Sequence, residues 1–170
     1  MIRELDATEA GARLAELGAI LVNAVAQGAS VNFLRGFSQP EAEAWWQRQV
    51  PGIAAGTTRL FVAEAAGRVI GTVLLFYAPQ PNQPHRGEIG KMLVHSAHRR
   101  RGIGQKLLAA AETAARAAGK TLLVLDTEAG SAGDALYRRC CWIELGTVPG
   151  YALTPDGVPA AATFFWKRIA

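Results

Sequence analysis

The segment Lys91–Leu108, reading KMLVHSAHRRRGIGQKLL, constrains this chain more than any other. An apolar strand pattern runs out at Val94 and a basic turn follows. Gly102 and Gly104 then open a run in which apolar positions 107, 108, 111, 115 and 118 share one helical face, with Gly119 placed to stop it. A strand feeding a helix through a glycine turn belongs to an α/β domain. Between Lys91 and Ala111 there is no acidic residue, but there are five Lys or Arg. Glycine lets a ligand approach the backbone closely, and the free N–H groups and dipole of a helix N-terminus favour an anion. The spacing predicts a phosphate site; the competing reading is a solvated arginine turn whose glycines only set the bend. It is not a Walker A loop, and the third glycine of a dinucleotide fingerprint would fall at Leu107.

The rest of the composition narrows the class. A chain of 170 residues, half apolar and 19% charged, is expected to fold as one domain over 1–170. A net charge of +4 is too weak for a nucleic-acid surface unless concentrated, and its concentration near one helix end points elsewhere. No apolar run is long enough for a membrane span, and Met1–Asp6 carries no basic lead into an apolar stretch, so a cytoplasmic location is expected. The two cysteines, Cys140 and Cys141, are adjacent and far from metal-ligand spacing. Two reduced thiols and no metal are expected.

The predicted order of elements is β-α-α-β-β-β-α-β-α-β-β. A strand over Ile2–Leu5 precedes a helical stripe through Leu14, Leu17, Leu21 and Val25. Ser38 and Glu41 form a capping box ahead of a helix carrying Trp45 and Trp46, one facing the core and the other a cleft or solvent. A hairpin turns at Ala66-Gly67 between strands 59–65 and 69–77. After a proline-rich loop, strands are expected at 86–94 and 121–127, a short helix at 133–140, and strands at 143–148 and 163–169.

Arg99-x-x-Gly102-x-Gly104, after a strand and opening a helix, resembles the acetyl-CoA pyrophosphate loop of the GNAT superfamily of N-acetyltransferases, and the element order agrees across nearly the whole chain. Segments 28–33, 53–56, 125–131 (LDTEAGS) and 149–157 (PGYALTPDG) further resemble the tabtoxin resistance acetyltransferases within it, which act on a β-lactam toxin. The resemblance implies a mixed central β-sheet flanked by helices, and acetyl-CoA as cosubstrate without a metal. It implies a small-molecule amine as acceptor, no nucleic-acid or membrane partner, and leaves a homodimer open. Protein N-termini or lysines as acceptors, or a non-catalytic acyl-CoA sensor, are the alternatives.

The resemblance also implies site residues. Arg99, Arg100, Arg101, Gly102, Ile103, Gly104 and Gln105 would hold the phosphates, and the backbone amides of Met92, Leu93 and Val94 would polarise the thioester carbonyl. Glu88 and Asp126 would act as bases through water, and Tyr137 would protonate the departing thiolate. Mutual repulsion would raise the pKa of one of the two acids. The competing readings are a strand residue paired with Arg86 or Lys91 for Glu88, a turn residue for Asp126 and a core aromatic for Tyr137. His95 and His98 read as loop residues, and the stretch from Phe33 to Trp46 as a wall of the acceptor pocket. Two departures from the superfamily stand out. Gly130-Ser131 replaces a pantetheine-contacting Asn, and Cys141-Trp142 replaces Gly-Phe, a change expected to alter only packing.

Overall fold

A computed structural model describes residues 1–169. Strands β1 (Ile2–Leu5), β2 (Thr58–Ala65), β3 (Arg68–Tyr77), β4 (Arg86–Val94), β5 (Leu122–Glu128), β6 (Ile143–Leu153) and β7 (Pro159–Arg168) form one sheet in the order β1-β2-β3-β4-β5-β7-β6. Helices α1 (Ala7–Ala12), α2 (Leu14–Ala26), α3 (Gln39–Gln47), α4 (Val50–Ala54), α5 (Ile103–Ala117) and α6 (Ala132–Arg139) complete it. All strand pairs are antiparallel except β4 with β5. A parallel pair requires a crossover, and α5 supplies it.

The period-two alternation of the strands divides the core. Leu60, Val62, Leu74 and Leu93 face α2 and α3, where Leu17, Ile20, Leu21 and Trp46 are buried. Phe61, Val73, Leu75, Ile89, Leu123 and Leu125 face the other way, onto Leu107, Leu108, Ala111 and Tyr137 of α5 and α6. Each large aliphatic side chain so buried contributes about 1.5–3 kcal/mol. This is the mixed sheet flanked by helices that the sequence led us to expect.

Local chemistry explains most element ends. The Ser38 capping box forms, with the Ser38 N–H donating to Glu41 Oε2 at 2.8 Å. Two short helices were not predicted: α1, six residues started by an Asp6–Glu9 capping box and cut off where Arg13 leaves helical geometry, and α4, with proline in its first turn. Strands β6 and β7 are longer than predicted. Pro149-Gly150 breaks the alternation, but β6 is an edge strand, where proline and the irregularity between Val148 and Ala152 are tolerated.

A buried polar cluster ties α5 to β7. The Glu112 carboxylate, 7% exposed, accepts from Trp142 Nε1 at 3.0 Å and from Lys167 Nζ at 2.9 Å on both oxygens. Lys167 also donates to the Cys140 carbonyl, and burial pushes the Cys140 thiol up. Both cysteines are free thiols. Among the described residues no helix is long and apolar enough to cross a membrane.

Candidate active site

The sheet parts where the candidate residues collect. β4 and β5 pair only through Arg86↔Leu122, Gly87↔Leu123 and Glu88↔Val124. Beyond that point β4 stays with β3 while β5 stays with β7, so a cleft opens between them. On its other side β4 carries a bulge: Thr72 pairs with Leu93 and Leu74 with Gly90, leaving Lys91 and Met92 opposite Val73 alone. Lys91 takes φ +47°, a left-handed conformation that costs about 1–2 kcal/mol outside glycine. The Thr72 hydroxyl donates to the Lys91 carbonyl at 2.9 Å and holds the kink. Met92, Leu93 and Val94 therefore border the cleft on an edge that no strand pairs.

The glycine turn lies on the α5 face. Gly102 caps α5 at φ +73° with no side-chain cap, so the first N–H groups of the helix keep no side-chain acceptor. Arg100 is also left-handed, at φ +61°. A Cβ added at Gly102 would meet nothing within 4 Å, whereas one at Gly104 would come within 3.1 Å of Leu136 Cδ2. The first glycine thus serves the turn and the second serves packing. Arg99 Nε donates to the Val94 carbonyl at 3.1 Å, and Arg99, Arg100 and Arg101 are exposed around the turn. An open backbone cradle ringed by arginines fits a pyrophosphate. His95 and His98 belong to the short 3-10 turn Ser96–His98 and its cap, where His95 Nδ1 accepts from the Ala97 N–H.

The opposite face holds the acids. Glu88 alternates with buried Ile89, and Asp126 with buried Leu125, so both look toward the α3 side. Glu88 is exposed and joins no ion pair among the described residues, since Arg86 donates to Gln83 Oε1. Asp126 is reached by solvent along the cleft yet recessed enough that burial raises its pKa, against the opposing pull of the Lys91 ammonium. The shift thus comes from burial and not, as expected, from repulsion by Glu88.

Lys91 belongs in sequence to the acid-free basic stretch, but the bulge swings it onto the acid face. Its Nζ lies 5.0 Å from the Trp45 ring centroid and 5.8 Å from that of Phe33, and burial lowers its pKa. Phe33 stacks on Phe37 at 3.9 Å and meets Trp45 edge-on at 6.2 Å, so the stretch from Phe33 to Trp45 does line this side of the cleft. Trp46 is buried in the core. The one local sign of the bulge is a lysine interrupting the strand directly after Gly-Glu-Ile-Gly.

The loop between α2 and α3 roofs this face. Ser30 Oγ donates to the Leu153 carbonyl at 3.0 Å, the Arg35 N–H donates to the Pro155 carbonyl at 2.7 Å, and Arg35 pairs with Asp156. The Ser30 N–H also reaches Glu128 at 3.4 Å.

Tyr137 sits in the α5-side core beside Trp142 and Phe165, 5% exposed, and its hydroxyl has no hydrogen bond among the described residues. Burial pushes its pKa well up, and the Asp126 charge adds to this. Ser131, in the place of the expected Asn, caps α6 by accepting from the Asp134 N–H at 3.2 Å. Among the described residues no group of three or more His, Cys, Asp or Glu is placed to hold a metal ion.

The family model for the acetyltransferase (GNAT) family matches residues 17–141. The chain belongs to the GNAT family. Acetyl-CoA is therefore its cosubstrate and acetyl transfer its reaction class. An N-acetyltransferase of Staphylococcus aureus Mu50 superposes with TM-score 0.82 at 22% identity, covering 100% of this chain and 98% of that one. The ribosomal-protein-alanine N-acetyltransferase of Brucella melitensis gives 0.79 at 26% identity, with 99% of each chain covered. The yncA protein of Salmonella typhimurium with its cofactor acetyl-CoA gives 0.80 at 23% identity, covering 100% and 94%. This GNAT chain shares the fold of all three over its whole length.

Proposed function

We propose that this GNAT enzyme acetylates the amine of a small molecule by direct attack on the thioester. The observation that carries the reading is the parted sheet: the uncapped amides of α5 and three exposed arginines lie on one side of the cleft, and two carboxylates lie on the other. Bound acetyl-CoA supplies an activated acetyl group. Arg99, Arg100 and Arg101 neutralise its phosphates, and the amide N–H groups of Gly102, Ile103, Gly104 and Gln105 donate to them at the α5 N-terminus. The amides of Met92, Leu93 and Val94 stabilise negative charge on the carbonyl oxygen.

Asp126 and Glu88 hold the incoming ammonium and take its proton through water, freeing the nitrogen lone pair. As the C–N bond forms and the C–S bond breaks, Tyr137 hydrogen-bonds the departing thiolate. Its raised pKa favours this over full proton transfer, because a cysteine-like thiol, near 8.5, is the stronger acid. Antibiotics and amino-acid-like toxins are the acceptors that the tabtoxin-resistance resemblance suggests.

A second reading, acetylation of a protein N-terminus, is favoured by the 26% identity to the Brucella enzyme named for ribosomal-protein alanine. The roof between Ser30, Arg35 and the β6–β7 turn weighs against it, since a peptide needs an open groove. The test is thiol release from acetyl-CoA with a panel of small amines and of peptides with free N-termini. Release with small amines at a kcat/KM at least tenfold above the peptides is expected. The opposite order supports the second reading, and coenzyme binding without release from any amine removes both.

A further inference from the structure

Lys91 is a desolvated cation without an anionic contact. Its ammonium carries three donors. Yet no hydrogen bond or ion pair of its side chain occurs among the described residues, and it stands over the faces of Trp45 and Phe33. Asp126 is the one acid close enough to influence it, and it in turn influences Asp126, but the two do not close into an ion pair. The positive and negative groups thus stand apart on one face of the cleft, under the roof formed by the α2–α3 loop.

We infer that Lys91 binds the carboxylate of the acceptor while Asp126 receives its amine, so that the acceptor is a free amino acid or a zwitterion of that kind. This rests on the amine-acetylation reading above. A zwitterion carries one charge of each sign, and this face offers a partner for each, Lys91 for the carboxylate and Asp126 for the amine. A simple amine would leave the Lys91 charge without an anion, and a peptide N-terminus brings no carboxylate beside its amine.

The geometry suits the task. The bulge at Lys91–Met92 is what brings the lysine to this face, and the Thr72 hydroxyl fixes the bulge. Trp45 and Phe33 limit the positions of the ammonium and exclude water, which strengthens its bond to a carboxylate. A charge-assisted hydrogen bond of this kind is worth about tenfold to a hundredfold in affinity.

The test uses a panel of α- and β-amino acids, each beside its α-amide, with acetyl-CoA and thiol release as readout. Acids are expected to exceed their amides by at least tenfold in kcat/KM. In Lys91→Met that ratio should collapse to about one, through a higher acceptor KM, while the KM for acetyl-CoA stays as in the parent. Lys91→Arg should restore part of the ratio. Calorimetric titration with the N-acetylated products, without acetyl-CoA, should show the same preference for acid over amide and its loss in Lys91→Met. Amides turned over as well as acids, or an acid preference that survives in Lys91→Met, overturn the inference and leave the amine reading standing. No release from any amine overturns both.

Discussion

Asn23 and Ser96 are joined by a reciprocal pair of hydrogen bonds: Asn23 Nδ2 to Ser96 Oγ at 3.1 Å, and the Ser96 N–H to Asn23 Oδ1 at 2.9 Å. They fasten helix α2 to the Ser96–His98 turn, which leads into the glycine turn before α5. Asn23→Ala leaves the Ser96 N–H without its partner and costs about 1–3 kcal/mol. For a chain of this size Tm should fall by roughly 2–4 °C for each kcal/mol. The KM for acetyl-CoA should rise, because the turn loses its fixed position. Calorimetry and initial rates check both, and an unchanged Tm with unchanged KM would show the pair to be dispensable.

Asp126 separates stability from activity. Burial holds its pKa above the ordinary aspartate value, so the folded chain disfavours the ionised form more than the unfolded chain does. The stability linked to its neutral form is complete below the ordinary value and lost as pH rises through the raised one. Asp126→Asn should therefore melt higher than the parent at neutral pH, with the gap closing on acidification, while kcat drops by about a hundredfold or more. A variant less stable than the parent at neutral pH would mean that attraction to Lys91 outweighs burial.

Tyr137 carries a hydroxyl with no protein partner and a phenol kept protonated by burial. Tyr137→Phe should keep its Tm within about 2 °C of the parent, since little bonding is lost. Its kcat should fall by about tenfold or more, and no limb of the pH–rate profile should vanish with it. A kcat equal to that of the parent removes the residue from the reaction.

The Glu112 cluster makes a purely structural prediction. Glu112→Ala strands the partly buried Lys167 ammonium and the Trp142 N–H, at about 3–5 kcal/mol. Glu112→Leu combined with Lys167→Met removes both charges and should recover part of that loss. Chemical denaturation of Glu112→Leu, Lys167→Met and the double variant measures the coupling. Purely additive losses would deny the cluster any cooperative role.

Much of this molecule is readable from local chemistry alone. The α5 stripe, the Ser38–Glu41 cap and the glycine turn after Val94 each rest on a rule spanning a few residues, and each stands where it was expected. Lys91 was not readable in that way. Its face depends on a one-residue bulge against β3, a pairing between strands that no local spacing encodes. The cause of the raised Asp126 pKa was not readable either, because burial depends on how far β4 and β5 diverge. The length of β6 was missed for a similar reason: an edge strand has one partner to satisfy and admits proline.

The parted strands also separate two kinds of inheritance within one small chain. On the proposed reading the coenzyme lies along a single continuous stretch, from the end of β4 through the start of α5. The proposed acceptor face is covered by the α2–α3 loop and the distant β6–β7 turn, held together by Ser30, Arg35 and Asp156. Exchanging that loop together with its matching turn should redirect the enzyme to a different amine while leaving its grip on the donor intact. Such a chain is built to change customers without changing its currency.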